Sequence, residues 1–108
     1  MTDEPVKLSP EELRQKLNLE TGKLAWPELQ RHFARGVVVV AAPRLDLIEV
    51  AASFAEDNKS QIEKWIEQGQ LNRANDEHAI RWNETQPDFW SVVIVPWVIV
   101  QEVQPPED

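Results

Sequence analysis

Val37-Val38-Val39-Val40-Ala41-Ala42 is the segment that most restricts what this chain can become. A strand with one wet face alternates apolar and polar residues, whereas this run is apolar throughout and β-branched at four successive positions. That pattern predicts a strand covered on both faces, ended by Pro43. It is the natural candidate for the centre of a sheet. A second β signal, the strongest in the chain, spans Phe89 to Val103, where Pro96 separates Trp90–Val95 from Trp97–Val100. Proline removes a ladder donor, so a bulge, bend or turn is expected there. Val37–Pro43 and Val92–Val100 both fall far short of the ~20 residues that cross a bilayer as a helix. No membrane partner is expected.

Helical segments surround these strands. Ser9-Pro10-Glu11-Glu12 has a capping serine, proline at the first helical position and a glutamate placed for a capping box. A helix is expected from there to about Thr21, with Leu13 and Leu17 on one stripe. Trp26-Pro27 restarts a helix carrying Trp26, Leu29 and Phe33, and the two helices read as a hairpin. Asp46 opens a helix over about 46–56 through Leu47, Val50, Ala51 and Phe54. Asn58 opens another, with Ile62, Trp65 and Ile66 on one face and Gly69 at its end. Leu71–Arg73 reads as a short edge strand, and Asn75 or Asp76 starts a last helix to about Asn83. Gly22, Gly36 and Gly69 each follow a helical pattern, where a left-handed residue is expected.

The chain has 108 residues, 42% of them hydrophobic, which suffices for one core. The expected organisation is a flexible tail at 1–8, one globular domain at 9–103 and a second tail at 104–108. The expected fold class is α+β or α/β: about five helices on a small mixed sheet of three to four strands. Val38 and Val40 are expected to be buried with Phe54 and Trp65. With no cysteine, disulfides, thiolate catalysis and sulfur-ligated metal sites are excluded. The N-terminus shows neither a secretory signal nor a basic transit pattern, so a cytoplasmic location is expected. Nineteen acids against eleven bases leave a net charge of −8, which disfavours non-specific nucleic-acid binding. Residues 1–44 carry +1 (seven bases, six acids) and residues 45–108 carry −9 (four bases, thirteen acids).

Few residues are arranged for chemistry. Isolated glycines form no phosphate-cradling loop, and no serine has the small flanking residues of a nucleophile elbow. Asp46 and Glu49 lie at the exit of the valine strand, where α/β sheets place ligand crevices, and could hold a hard cation together with His78. Capping by Asp46 explains the same pair without a ligand. His78 is either a helix-surface residue or an acid or base beside a carboxylate. Arg73 and Arg81, with Arg31 and Arg35, are the candidates for gripping an anion. Trp26, Trp65 and Trp82 belong to helical apolar stripes and are expected in the core. Trp90 and Trp97, flanking Pro96, are open between core and interface.

Several segments together resemble a known family: Glu20-Thr21-x-Lys23-x-x-Trp26-x-Glu28-Leu29, Phe33-Ala34-x-Gly36-Val37-Val38-Val39, Leu45-Asp46-Leu47, Trp65 with Gly69, and Pro96-Trp97-Val98-x-Val100-Gln101-Glu102. Over roughly residues 11–103 the chain is similar to a family of short bacterial proteins defined as a domain of unknown function, number 2288. The resemblance implies a bacterial source and carries over no activity, cofactor or partner. No catalytic set and no cofactor are expected from the residues either. They favour an interaction or regulatory protein that binds another protein or a copy of itself, with Trp90, Pro96 and Trp97 as interface candidates. The alternative is a small-ligand or metal-dependent site near the end of the valine strand, using Asp46, Glu49 and His78.

Overall fold

The computed structural model describes residues 8–103. Of the expected tails, 1–7 and 104–108 lie outside the described residues. The elements are α1 (Pro10–Glu20), β1 (Gly22–Ala25), α2 (Trp26–Ala34), β2 (Val38–Ala41), α3 (Leu47–Ala55), α4 (Lys59–Glu67), β3 (Leu71–Arg73), α5 (Asp76–Thr85), β4 (Asp88–Ile94) and β5 (Trp97–Glu102). Five helices pack on one mixed five-stranded sheet, in the order β1-β4-β5-β2-β3. The class is α+β, and the sheet has more strands than the three or four expected.

The additional strand is β1, which pairs antiparallel with β4 from Gly22↔Ser91 to Ala25↔Asp88. It corrects the expected α1–α2 hairpin. Lys23-Leu24-Ala25 is too short to show a period of two, yet it carries the chain from one side of the sheet to the other. The glycine that precedes it begins a strand and is not left-handed. Gly36 and Gly69 do have positive φ, at 74° and 72°, and each ends its helix as expected.

The continuous valine pattern has its physical cause in two separate cores. On one face, α1, α3 and α4 cover Val39 and Ala41 of β2, Leu71 of β3, Val92 of β4 and Ile99 of β5. On the other, α2 and α5 cover Val38 of β2, Phe89 of β4, and Val98 and Val100 of β5. Alternation persists in direction but not in polarity, because both sides are dry. The expectation that Val38 and Val40 share a core with Phe54 and Trp65 is therefore corrected. Those two rings pack with Val39 and Ala41, while Val38 and Val40 meet Trp26 and Trp82. The middle strand is β5, parallel to β2 and antiparallel to β4, and the valine strand lies beside it.

Pro96 makes a turn. Ile94 and Trp97 face each other across Val95-Pro96, whose peptide bond is cis, and β4 and β5 form a hairpin. Trp90, Val92 and Ile94 consequently share a face with Trp97, Ile99 and Gln101. The two edges of the sheet are β1 and β3, of four and three residues. Short edges limit open-ended pairing between sheets, and Leu71 in β3 is fully buried as well.

The α2/α5 core is aromatic. Trp82 and Phe89 meet edge-to-face at 4.9 Å, Trp26 and Trp82 lie 5.3 Å apart, and Phe33 closes on Trp26 at 5.8 Å. Trp26 donates its indole N–H to Asn83 Oδ1 at 2.8 Å. The Trp82 indole N–H is buried without a hydrogen-bond partner among the described residues. Truncating the fully buried Phe89 to alanine should cost about 3–5 kcal/mol in chemical denaturation. Glu63→Ala, on the exposed side of α4, should change stability by less than about 0.5 kcal/mol. Equal effects at the two positions would contradict this placement of the core.

Candidate functional site

Of the residues expected to form a ligand site near the valine strand, Asp46 and Glu49 share the start of α3 and His78 lies apart on α5. Asp46 is the N-cap of α3: its Oδ1 accepts from the Ile48 N–H at 2.9 Å and the Glu49 N–H at 3.4 Å. Glu49 is engaged from the neighbouring helix, where Arg14 donates to it through both Nε and Nη2, the latter at 2.9 Å. That two-pronged contact holds the Glu49 carboxyl below the usual carboxylate range. His78 lies on α5, across the sheet from both. Among the described residues, no three acidic or histidine side chains converge on a point that could hold a metal ion.

His78 has a structural role and a second, unexpected setting. Its Nδ1 accepts from the Asn75 N–H at 3.1 Å while Asn75 Oδ1 accepts from the His78 N–H at 3.1 Å, a reciprocal cap at the start of α5. A ring nitrogen that accepts carries no proton, so in the neutral ring the proton sits on Nε2. The ring lies 5.1 Å from that of Trp82. Burial, then the nearby Arg81 charge, pushes its pKa down from the ordinary 6.5, against weaker opposing pulls from Glu102 and Glu77. His78, Arg81, Glu102 and Asn72 line a small polar recess beyond the end of β2, beside Val40–Pro43. Its carboxylate is Glu102, which accepts from Arg81 at 3.1 Å, in place of the expected Asp46 and Glu49.

Of the three interface candidates, Trp90 lies apart from the adjacent Pro96 and Trp97. Trp90, 41% exposed, sits near the β1 edge beneath the Lys23 ammonium, 5.2 Å from its ring centre. Pro96 is exposed at the hairpin tip. Trp97 is partly covered at the other end of the same sheet face, with the Arg73 guanidinium 5.3 Å from its ring centre.

Trp97 forms one wall of an apolar groove of about 240 Å³, lined by Val39, Phe54, Ile62, Ile66, Leu71 and Trp97, with Asn72 and Arg73 the polar members. Residues of α3, α4, β2, β3 and β5 build it. Asn58 caps α4, so that Ile62 and Ile66, four apart, face the sheet on one stripe. Phe54 approaches from α3, and the hairpin turn presents Trp97. Arg73 is fixed by Nε and Nη2 donating to the Gly36 carbonyl at 2.9 and 2.7 Å. The sequence flagged Arg73 as an anion candidate and Trp97 as an interface candidate. Their juxtaposition was hidden because it depends on β3 and β5 both neighbouring β2.

Gln101 figures in the family resemblance without a role, and the structure gives it one. Its amide donates to the Ala42 and Leu45 carbonyls at 2.8 and 2.7 Å, latching the loop that leaves β2. A lone glutamine in an apolar strand is the only signal that could have found it.

These features define a small α+β domain with a sheet covered on both sides and an apolar groove at one end of it. The family model described as Protein of unknown function (DUF2288) matches residues 12–102, and the chain belongs to that family. It is similar to PA1075 from Pseudomonas aeruginosa, known from an NMR solution structure, at 38% identity over 86% of each chain with a TM-score of 0.77. No curated protein matches it.

Two measurements follow from these placements. If Asp46 acts only as a cap, Asp46→Ala should lose about 0.5–2 kcal/mol while Asp46→Asn keeps most of the stability. A depressed histidine pKa stabilises the fold above the ordinary value of 6.5, and that contribution is lost as pH falls through the folded-state value. The melting temperature should therefore drop more steeply between about pH 7 and pH 5 in the parent than in His78→Gln. Identical slopes would contradict the role given to His78.

Proposed function

We propose that this chain is a non-catalytic interaction module, acting in the bacterial cytoplasm, whose groove on the α3/α4 side receives an apolar side chain of a partner protein. The observation that carries this reading is the groove itself. A chain able to bury Val38, Val50, Ile99 and Val100 completely leaves Ile66 half exposed beside a partly covered tryptophan. Tryptophan and arginine are the residue types most enriched where protein interfaces concentrate their binding energy, and here they stack on each other. The bacterial setting is supported by the similarity to a Pseudomonas protein, and no helix among the described residues is long and apolar enough to cross a membrane.

The test is site-specific photocrosslinking in bacterial cells that make this protein, with the crosslinker at Ile66 on the groove rim or at Glu84 on α5. A discrete adduct from position 66 that is absent from position 84 is the expected outcome. Equal yields at both positions, or none at 66, would sink the proposal.

Self-association through the segment around Pro96 is a second reading, favoured by the apolar hairpin tip, where Val93 is 53% and Val95 86% exposed. Light scattering should then show a dimer that Val95→Asp dissociates without unfolding. A parent that stays monomeric at high micromolar concentration would remove this reading.

A further inference from the structure

We infer that the partner segment held by the groove is a protein C-terminus: an aliphatic or aromatic last residue fills the apolar space, and its terminal carboxylate meets Arg73. This rests on the groove being a protein-docking site. The size of the space and the state of the arginine take it further.

A cavity of about 240 Å³ exceeds the ~150 Å³ that accommodates benzene, so one large side chain fits. It is smaller than the ~300–1,000 Å³ typical of pockets that enclose a whole small molecule. Its occupant is thus better matched to a single residue whose remaining chain leaves the protein. Six of the eight lining residues are apolar, and the lining has a single charged member, Arg73.

Arg73 is a cation that neutral groups hold in place, in a chain carrying −8 overall. Arg14, Lys16 and Arg81 each pair with a glutamate. The partners of Arg73 among the described residues are instead the Gly36 carbonyl and the Trp97 ring. Two of its nitrogens are used on that carbonyl, and Nη1 has no hydrogen-bond partner among the described residues. A guanidinium so anchored has lost its freedom before any ligand arrives, which lowers the entropy cost of binding. Its remaining donors suit the planar geometry of a carboxylate. Hydrophobic side chain and carboxylate within one residue's length of each other are what the last residue of a polypeptide supplies. An internal leucine has no carboxylate of its own.

The experiment is an NMR titration of the whole chain with three peptides: acetyl-Gly-Gly-Leu with a free carboxylate, the same peptide as its C-terminal amide, and acetyl-Gly-Leu-Asp-Gly-amide, with its carboxylate on the next residue. The free acid should shift the methyls of Ile62, Ile66 and Leu71 and the indole of Trp97. It should bind roughly tenfold or more tightly than either amide, the scale of one charge-assisted hydrogen bond. Arg73→Gln should remove that preference while leaving distant resonances in place. If that variant does not fold, the comparison of acid and amide on the parent still decides. Equal binding of acid and amide overturns the C-terminal inference and leaves a groove that reads side chains alone. Equal or tighter binding of the internal aspartate peptide also overturns it. If none of the three shifts these resonances at millimolar concentration, the inference fails, and docking at the groove stands or falls on the crosslinking result.

Discussion

The structure depends on two parallel neighbours, β2 and β5, that have no solvent-facing side. Val38, Val98 and Val100 point into one core and Val39 and Ile99 into the other, each with under a tenth of its surface accessible. A chain of this length can cover a sheet on both faces only by sending helices to both. Its connections therefore cross over: α1 lies on one side and α2 on the other, with β1 as the passage between them. The placement of the helices and the shortness of the edge strands follow from that requirement.

Legibility in the sequence tracked the range of the interactions. Helix starts are written locally: Ser9, Asp46, Asn58 and Asn75 each cap a helix through a side chain accepting from a nearby backbone N–H. Boundaries at α1, α3 and α4 were accordingly readable to within a residue or two. The doubly covered valine strand was readable because burial on both faces leaves no polar position. What could not be read was which face each helix covers, since an amphipathic stripe states that a side is buried but not against what. Phe54 and Trp65 were thus assigned to Val38 and Val40 when they belong with Val39. β1 was lost because its stability comes from the ladder to β4, and Lys23-Leu24-Ala25 alone carries no pattern.

The same distinction governs the candidate sites. Asp46 as a cap was a local inference and the contact is made. A metal site at Glu49 would depend on distant chain, and the partner that distant chain supplies is Arg14, thirty-five residues away. Trp90 and Trp97, seven residues apart, would fall on opposite faces of a single uninterrupted strand. A two-residue turn at Pro96 resets that count and brings both to the same face. The groove itself joins residues from α3, α4, β2, β3 and β5, so no window of sequence contains it.

The central physical claim is that two well-packed cores coexist with one apolar space left unfilled beside Trp97. Xenon tests it most directly, because the gas enters dry apolar cavities and perturbs the methyl groups that line them. Under xenon pressure the methyl resonances of Ile62, Ile66, Leu71 and Val39 should shift together and saturably, while those of Leu29, Val92 and Val100 stay in place. Shifts spread evenly over both sets, or absent from the groove methyls, would contradict it.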